Sequence, residues 1–258
     1  MKKKTVYYKS EENDEFSRAK ITPRIIDSAY NYLPKSKAGR LFGALLYRSV
    51  GTPIAYFYVK TRFARKIVGG NKLKPYKKSG FFLYGNHTNA VFDALNPGTL
   101  VFPTKAYTIA SAENLAIKGI GRIVKHLGAI PIPATTGAYR NFKKAIKQKI
   151  DGGECIIIYP EAHIWPYYTG IRSFPETSFY FPACLDAPVF CFTNTYHKRT
   201  PFGTRVITYI DGPFFPSPEL DAKRKAQDLR DKVYHVMKER AKSSTLTRIE
   251  YRKMEDGE

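Results

Sequence analysis

An α/β fold is what this 258-residue sequence predicts: a central, mostly parallel sheet with helices on both faces, preceded by a basic helical segment. Two observations carry it. From Gly80 onward, short β-branched or aromatic runs alternate with stretches of helical period, which argues for a sheet covered on both faces. Before that point, residues 1–78 hold 19 basic against 5 acidic side chains, about two thirds of a net charge of +21.

Residues 1–22 are polar and read as a loose arm. The opening Met-Lys-Lys-Lys is followed by polar and acidic residues with no apolar core and no cleavage site, so it does not read as a signal peptide. From Leu41 to Val59 the chain is apolar and aromatic, interrupted by Gly51 and Pro53. Lys35, Lys37 and Arg40 flank it on one side, and Lys60, Arg62, Arg65 and Lys66 on the other. That is the layout of an interfacial helical hairpin, its apolar face in the headgroup boundary and its basic stems reaching anionic phosphates. Two helices packed on the core with solvated basic faces fit the same residues. Arg48 and Lys60 interrupt the longest apolar run, so no window is long enough for a membrane-spanning helix.

The expected division is therefore 1–78, a basic arm with an interfacial helical segment, and 79–258, an α/β domain ending in a helix. Strands are predicted at 81–84, 106–110, 129–132, 155–159, 188–193 and 205–210, and helices at 89–95, 112–126 and 137–149. A last helix opens at Ser217-Pro218-Glu219, a cap followed by proline, and runs to about Lys242.

Cys155, Cys184 and Cys191 lie in apolar surroundings without C-x-x-C spacing and read as buried thiols. The five histidines and three cysteines show no zinc spacing, and there is no phosphate loop or dinucleotide fingerprint, so no metal and no redox cofactor are expected. A surplus of +21 attracts polyanions. Because the charge clusters around an apolar segment and no DNA or RNA module is present, an anionic membrane surface is the expected partner and nucleic acid is not.

The chemistry points to Gly85-Asn86-His87-Thr88-Asn89-Ala90-Val91-Phe92-Asp93, where a strand runs into an Asn-His turn with a carboxylate shortly beyond. A helix starting near Asn89 places Asp93 in its first turns. The carboxylate then reaches back to one imidazole nitrogen, fixing the tautomer and raising the basicity of the other. A histidine so held takes the proton from an alcohol attacking a thioester, with no serine or cysteine nucleophile needed. Alone, the pair fits a structural cap about equally well.

Three further blocks follow in order: Gly128-Ala129-Ile130-Pro131-Ile132, then Ile156-Ile157-Ile158-Tyr159-Pro160-Glu161, then Pro188-Val189-Phe190. With the Asn-His block, these resemble the four blocks of the 1-acylglycerol-3-phosphate acyltransferase superfamily over residues 80–215. The resemblance implies that His87 and Asp93 are the catalytic dyad. The donor it implies is acyl-CoA or acyl-carrier protein, a co-substrate and not a cofactor, and the acceptor is a glycerolipid hydroxyl.

The sequence departs from the family pattern in three places. The family has four residues between His and Asp, whereas five separate His87 from Asp93, which turns the carboxylate away unless the loop absorbs the extra position. The basic residue that clamps an acceptor phosphate is missing, because Pro133-Ala134 follows Ile132. The Pro-Glu-Gly-Thr-Arg pattern reads Pro160-Glu161-Ala162-His163-Ile164, keeping only the glutamate. Arg172, His163 and Arg140 are the candidate substitutes, and with Asn86 and Glu161 they complete the expected substrate-binding set. Backbone amides near the strand ends are expected to hold the oxyanion. His163, Trp165, Tyr167 and Tyr168 form an aromatic patch that fits either an acyl channel or loop packing.

The sequence thus reads as an O-acyltransferase of phospholipid synthesis on the cytoplasmic face of a membrane, peripheral or monotopic. The alternative is a degenerate lipid-binding relative of the same fold.

Overall fold

The computed structural model describes residues 4–16, 25–32, 36–113, 126–199 and 203–254. Along them run β1 (Lys4–Tyr8), α1 (Lys37–Leu45), α2 (Thr52–Arg62), β2 (Lys66–Val68), β3 (Phe81–Gly85), α3 (Ala90–Val101), β4 (Ala106–Ala110) and β5 (Ala129–Pro131). Then come α4 (Thr136–Asp151), β6 (Cys155–Ile158), α5 (Tyr180–Leu185), β7 (Val189–Lys198), β8 (Thr204–Phe214), α6 (Ala222–Ala241) and β9 (Ile249–Lys253).

Seven strands form one sheet in the order β2-β8-β7-β3-β6-β4-β5. Every neighbouring pair is parallel except β7 and β8. The predicted α/β class with a mostly parallel sheet is what the chain adopts. β3 sits mid-sheet and shows why: all five of its residues are buried, so no polar alternation is needed. The two-residue period sends Phe82 and Tyr84 to the face covered by Phe142 and Ile146 of α4 and Leu229 and Val233 of α6. Phe81 and Leu83 go to the opposite face, against Tyr47, Leu73 and Val101.

Several expectations are corrected. The start of the arm is not loose: Lys4–Tyr8 alternates β-forming residues and pairs in parallel with Ile249–Lys253 in a separate two-stranded sheet. Gly51 and Pro53 do not make a hairpin. Leu46–Gly51 winds as a π-helix whose flanking residues keep right-handed helical angles, so α1 runs through it into α2. A π-turn skips one position in the hydrogen-bond ladder, and proline, which brings no N–H, then falls harmlessly in the first turn of α2.

The last helix starts later than expected. Asp221 caps it by accepting from the Arg224 amide at 2.9 Å, while the Ser217 hydroxyl turns to Asp228 instead. Cys155 and Cys191 are buried, but Cys184 is exposed on the short α5. The predicted helix at 112–126 lies mostly outside the described residues, as do residues 1–3 and 17–22 of the arm.

Candidate active site

The site is built at the C-terminal end of β3, and Gly85 makes the approach possible. A Cβ there would lie 2.1 Å from the Phe192 ring of β7, so the two strands close up only around glycine. Asn86 turns inward. Its amide donates to the Asn194 carbonyl at 3.0 Å, and its carbonyl oxygen accepts the Asn194 N–H at 2.8 Å. Buried and doubly bonded to β7, Asn86 holds the turn down, a structural place where the sequence expected a substrate-binding one.

Asn89 is extended, and its side chain caps α3 by accepting from the Phe92 amide at 3.0 Å. Asp93 therefore comes round one turn later, buried beneath the loop. Its Oδ2 accepts from three donors: the Thr88 and Asn89 amides, each at 2.8 Å, and His87 Nδ1 at 2.9 Å. Its Oδ1 lies 3.5 Å from the Asn194 amide nitrogen. The fifth intervening residue does no harm, because helical phase governs only positions from Ala90 on and His87 stands outside it. A carboxylate only accepts, so Nδ1 carries the hydrogen and Nε2 keeps its lone pair. The imidazole is 19% exposed, enough for an incoming hydroxyl to reach it.

Tyr159, at the end of β6, was not singled out by the sequence. Its ring stacks on His87 with centroids 4.3 Å apart and planes 18° apart, and its hydroxyl donates to the Asp93 carbonyl. Burial, reinforced by the charge of Asp93, pushes the phenol far above its usual range, so it stays a donor. The available signal was its place directly before Pro160-Glu161.

Glu161 acts from beneath. Its Oε2 accepts the His87 N–H at 2.9 Å and its Oε1 accepts the Arg172 N–H at 2.8 Å, with the Arg172 guanidinium 3.7 Å away. Burial pushes the carboxyl up, while Arg172 and the two amides pull it back. Arg172, expected at the acceptor, is instead fully buried. It donates to the backbone carbonyls of Glu11 and His163 and lies 4.9 Å from the centre of the Trp165 ring. Glu161 and Arg172 thus fix the backbone of His87 and touch no open surface.

His163 is partly exposed, its Nδ1 3.7 Å from the Glu15 carboxylate. Arg140 is exposed on α4, and no hydrogen bond or ion pair joins it to the dyad among the described residues. The aromatic patch is packing: Trp165 is buried among Tyr8, Phe16, Tyr168 and Tyr251, which ties both chain ends onto the loop that carries Glu161.

Ala162 stands where the family pattern has glycine, and it takes φ +61 in a tight turn closed by the His163 amide on the Glu161 carbonyl at 2.7 Å. A Cβ in the left-handed region costs roughly 1–2 kcal/mol, and glycine returns about 0.4–1 kcal/mol of that as chain entropy. Ala162→Gly is therefore expected to raise Tm by roughly 1–3 °C in thermal denaturation. A fall in Tm would contradict the assigned strain.

A histidine held by a buried carboxylate through one nitrogen and open at the other, at the C-terminal edge of a parallel sheet, is equipment for deprotonating a hydroxyl. Residues 65–190 of the 258 match the family model described as Acyltransferase, and that span includes the dyad, Tyr159 and Glu161. Among solved structures, the crystal structure of the 1-acyl-sn-glycerophosphate (LPA) acyltransferase PlsC from Thermotoga maritima is similar, with a TM-score of 0.56 and 17% identity over 83% of this chain and 86% of that one. At that identity the likeness speaks to the fold. No curated protein matches the chain. The family match and the shared fold support the glycerolipid acyltransferase superfamily read from the four blocks.

Proposed function

We propose that the chain transfers a fatty acyl group from acyl-CoA or acyl-carrier protein to a free hydroxyl of a glycerol-based lysophospholipid, in phospholipid synthesis on the cytoplasmic face of a membrane. The observation that carries this is the 2.9 Å contact of His87 Nδ1 with a buried, triply bonded Asp93, within the span that matches the Acyltransferase family model. A degenerate lipid-binding relative has no need of that arrangement.

In the proposed reaction, His87 Nε2 takes the acceptor's proton as its oxygen attacks the thioester carbonyl. Asp93 balances the imidazolium. The tetrahedral intermediate then expels the thiolate, which recovers the proton from Nε2. The amides of His87, Thr88 and Asn89 are already engaged by Glu161 and Asp93, which removes them from the expected oxyanion donors. The proposed donors are the amides of Ala90 and Val91, exposed residues in the first turn of α3, where helical N–H groups have no intrahelical acceptor.

Pro133-Ala134 offers no phosphate clamp and Arg172 is sealed, so the decisive assay sets lysophosphatidic acid and glycerol-3-phosphate beside uncharged glycerolipid acceptors. The readout is thiol release from acyl donors by wild type, His87→Ala and Asp93→Asn. Transfer lowered at least about 100-fold in both variants is the expected result; no transfer by wild type with any pair overturns the reading.

The proposed membrane seat is the outer face of α1 and α2. No described helix is long and apolar enough to cross a membrane, yet Leu41 is 73% and Phe57 is 70% exposed, with Phe42, Leu45, Ile54 and Tyr56 also open beside Arg48 and Lys60. So large an exposed apolar surface fits an interface. Leu41→Asp/Phe57→Asp is expected to cut flotation with anionic vesicles at least tenfold, because each buried side chain contributes about 1.5–3 kcal/mol. Melting should hardly change, since both sites are exposed. Undiminished flotation would place the contact elsewhere.

A further inference from the structure

A second basic site lies where the end of α2 meets the edge of the sheet. Ala64, at φ +43, turns the chain out of α2 and sends Arg65 inward. Only 4% of Arg65 is exposed. Its Nη1 donates to Asn96 Oδ1 at 2.6 Å and to the Thr99 hydroxyl, both on α3. Its Nε is buried with no hydrogen-bond partner, and among the described residues no carboxylate pairs with it.

A buried cation is normally paired with an anion, and an orphaned donor is normally satisfied. Here the cation borders a groove of about 400 Å³ lined also by Lys60, Lys66, Arg205, Tyr56 and Ile67. Among the described residues, four cationic side chains meet there without one acidic side chain, which disfavours a metal cation and favours an oxyanion with several acceptor oxygens. A guanidinium fork with ammonium groups around it matches phosphate.

We propose that this groove binds a phosphate group, and that the group belongs to an anionic phospholipid of the membrane on which α1 and α2 lie. The lipid source rests on the membrane seat proposed above; the phosphate chemistry does not. Tyr56 and Lys60 belong both to the groove and to the exposed face of α2, so the groove opens at headgroup level when that face meets a bilayer. Burial lowers Arg65 to about 10, which leaves it cationic at neutral pH. None of the lining residues hydrogen-bonds directly to His87, Asp93 or Glu161, and Arg65 reaches Asp93 only through the buried chain of Asn96, Thr208 and Asn194, so the groove is a second place on the protein beside the dyad.

The test uses the full chain and three variants. Lys66→Gln/Arg205→Gln removes two exposed lining charges. Arg65→Lys keeps the charge but loses the fork. Lys143→Gln/Lys144→Gln, on the exposed face of α4, is the charge-matched control. One arm measures Tm in inorganic phosphate against chloride at equal ionic strength. The other measures binding to phosphatidylcholine vesicles with and without phosphatidylglycerol.

Phosphate should raise the Tm of wild type and control, and hardly that of the other two. Phosphatidylglycerol should strengthen wild-type vesicle binding roughly tenfold, a gain that the control keeps and the groove variants largely lose. Loss confined to the Tm arm would assign the groove to a soluble phosphate compound. Failure of wild type to bind either vesicle would sink the membrane seat and leave the Tm arm to decide the phosphate site. No phosphate-dependent rise in wild type, with equal vesicle gains in groove variant and control, overturns the proposal.

Discussion

Replacing His87 with alanine is expected to lower kcat/KM for acyl transfer by about three to four orders of magnitude, or roughly 4–5 kcal/mol of transition-state stabilisation. The protein should still fold, because the side chain is partly exposed and its loss removes one hydrogen bond worth about 1 kcal/mol. Asp93→Asn tests the other half of the pair. Oδ2 faces three donors, so the amide oxygen must take its place and the new NH2 group must face the Asn194 amide nitrogen at 3.5 Å. Nδ1–H keeps an acceptor, but the imidazolium loses its counter-charge. Activity should fall about 100- to 1000-fold, with a stability cost of about 1–2 kcal/mol from two opposed amides. Thiol release measured beside urea unfolding separates the two effects. An Asp93→Asn enzyme as fast as wild type would remove Asp93 from the mechanism.

The sheet was legible because its central strands β3, β6 and β7 are buried on both faces. Runs such as Ile156-Ile157-Ile158 carry their signal in composition, and all six predicted strands form. β1, β2 and β9 were missed for the opposite reason. They lie at edges or in a two-stranded sheet, half exposed and rich in lysine and arginine, so local pattern barely separates them from loop. The dyad was legible as chemistry but not as geometry: counting helical phase from His87 turns Asp93 away, whereas the capping Asn89 lets the chain bend before the helix begins. Arg172 was misjudged because sequence shows that a cation is nearby, not which way it points. Its guanidinium goes inward to carbonyls at Glu11 and His163.

That inward placement yields the largest stability effect expected here. Glu161 and Arg172 are both fully buried, and the carboxylate bonds to the backbone amides of His87 and Arg172 while lying 3.7 Å from the guanidinium. Glu161→Gln keeps the shape, but its amide offers one acceptor where two N–H groups converge, and it leaves the Arg172 charge buried without compensation. Breaking such a pair from one side costs about 3–5 kcal/mol, roughly a 6–20 °C fall in Tm for a chain of this size. The loop from 161 to 172 carries Trp165, which anchors both chain ends, so the loss should appear as early release of β1 and β9 in hydrogen exchange. Activity should fall too, because the Glu161 bond fixes the backbone of His87, and it should fall through kcat more than KM if Glu161 positions the base without touching the acceptor. Arg172→Met separates the roles: it removes the charge but spares the bond to the His87 amide, so stability should drop while kcat per folded molecule stays near wild type. Loss of kcat in Arg172→Met with KM for lysophosphatidic acid raised many-fold would instead return Arg172 to the acceptor's phosphate, against its burial.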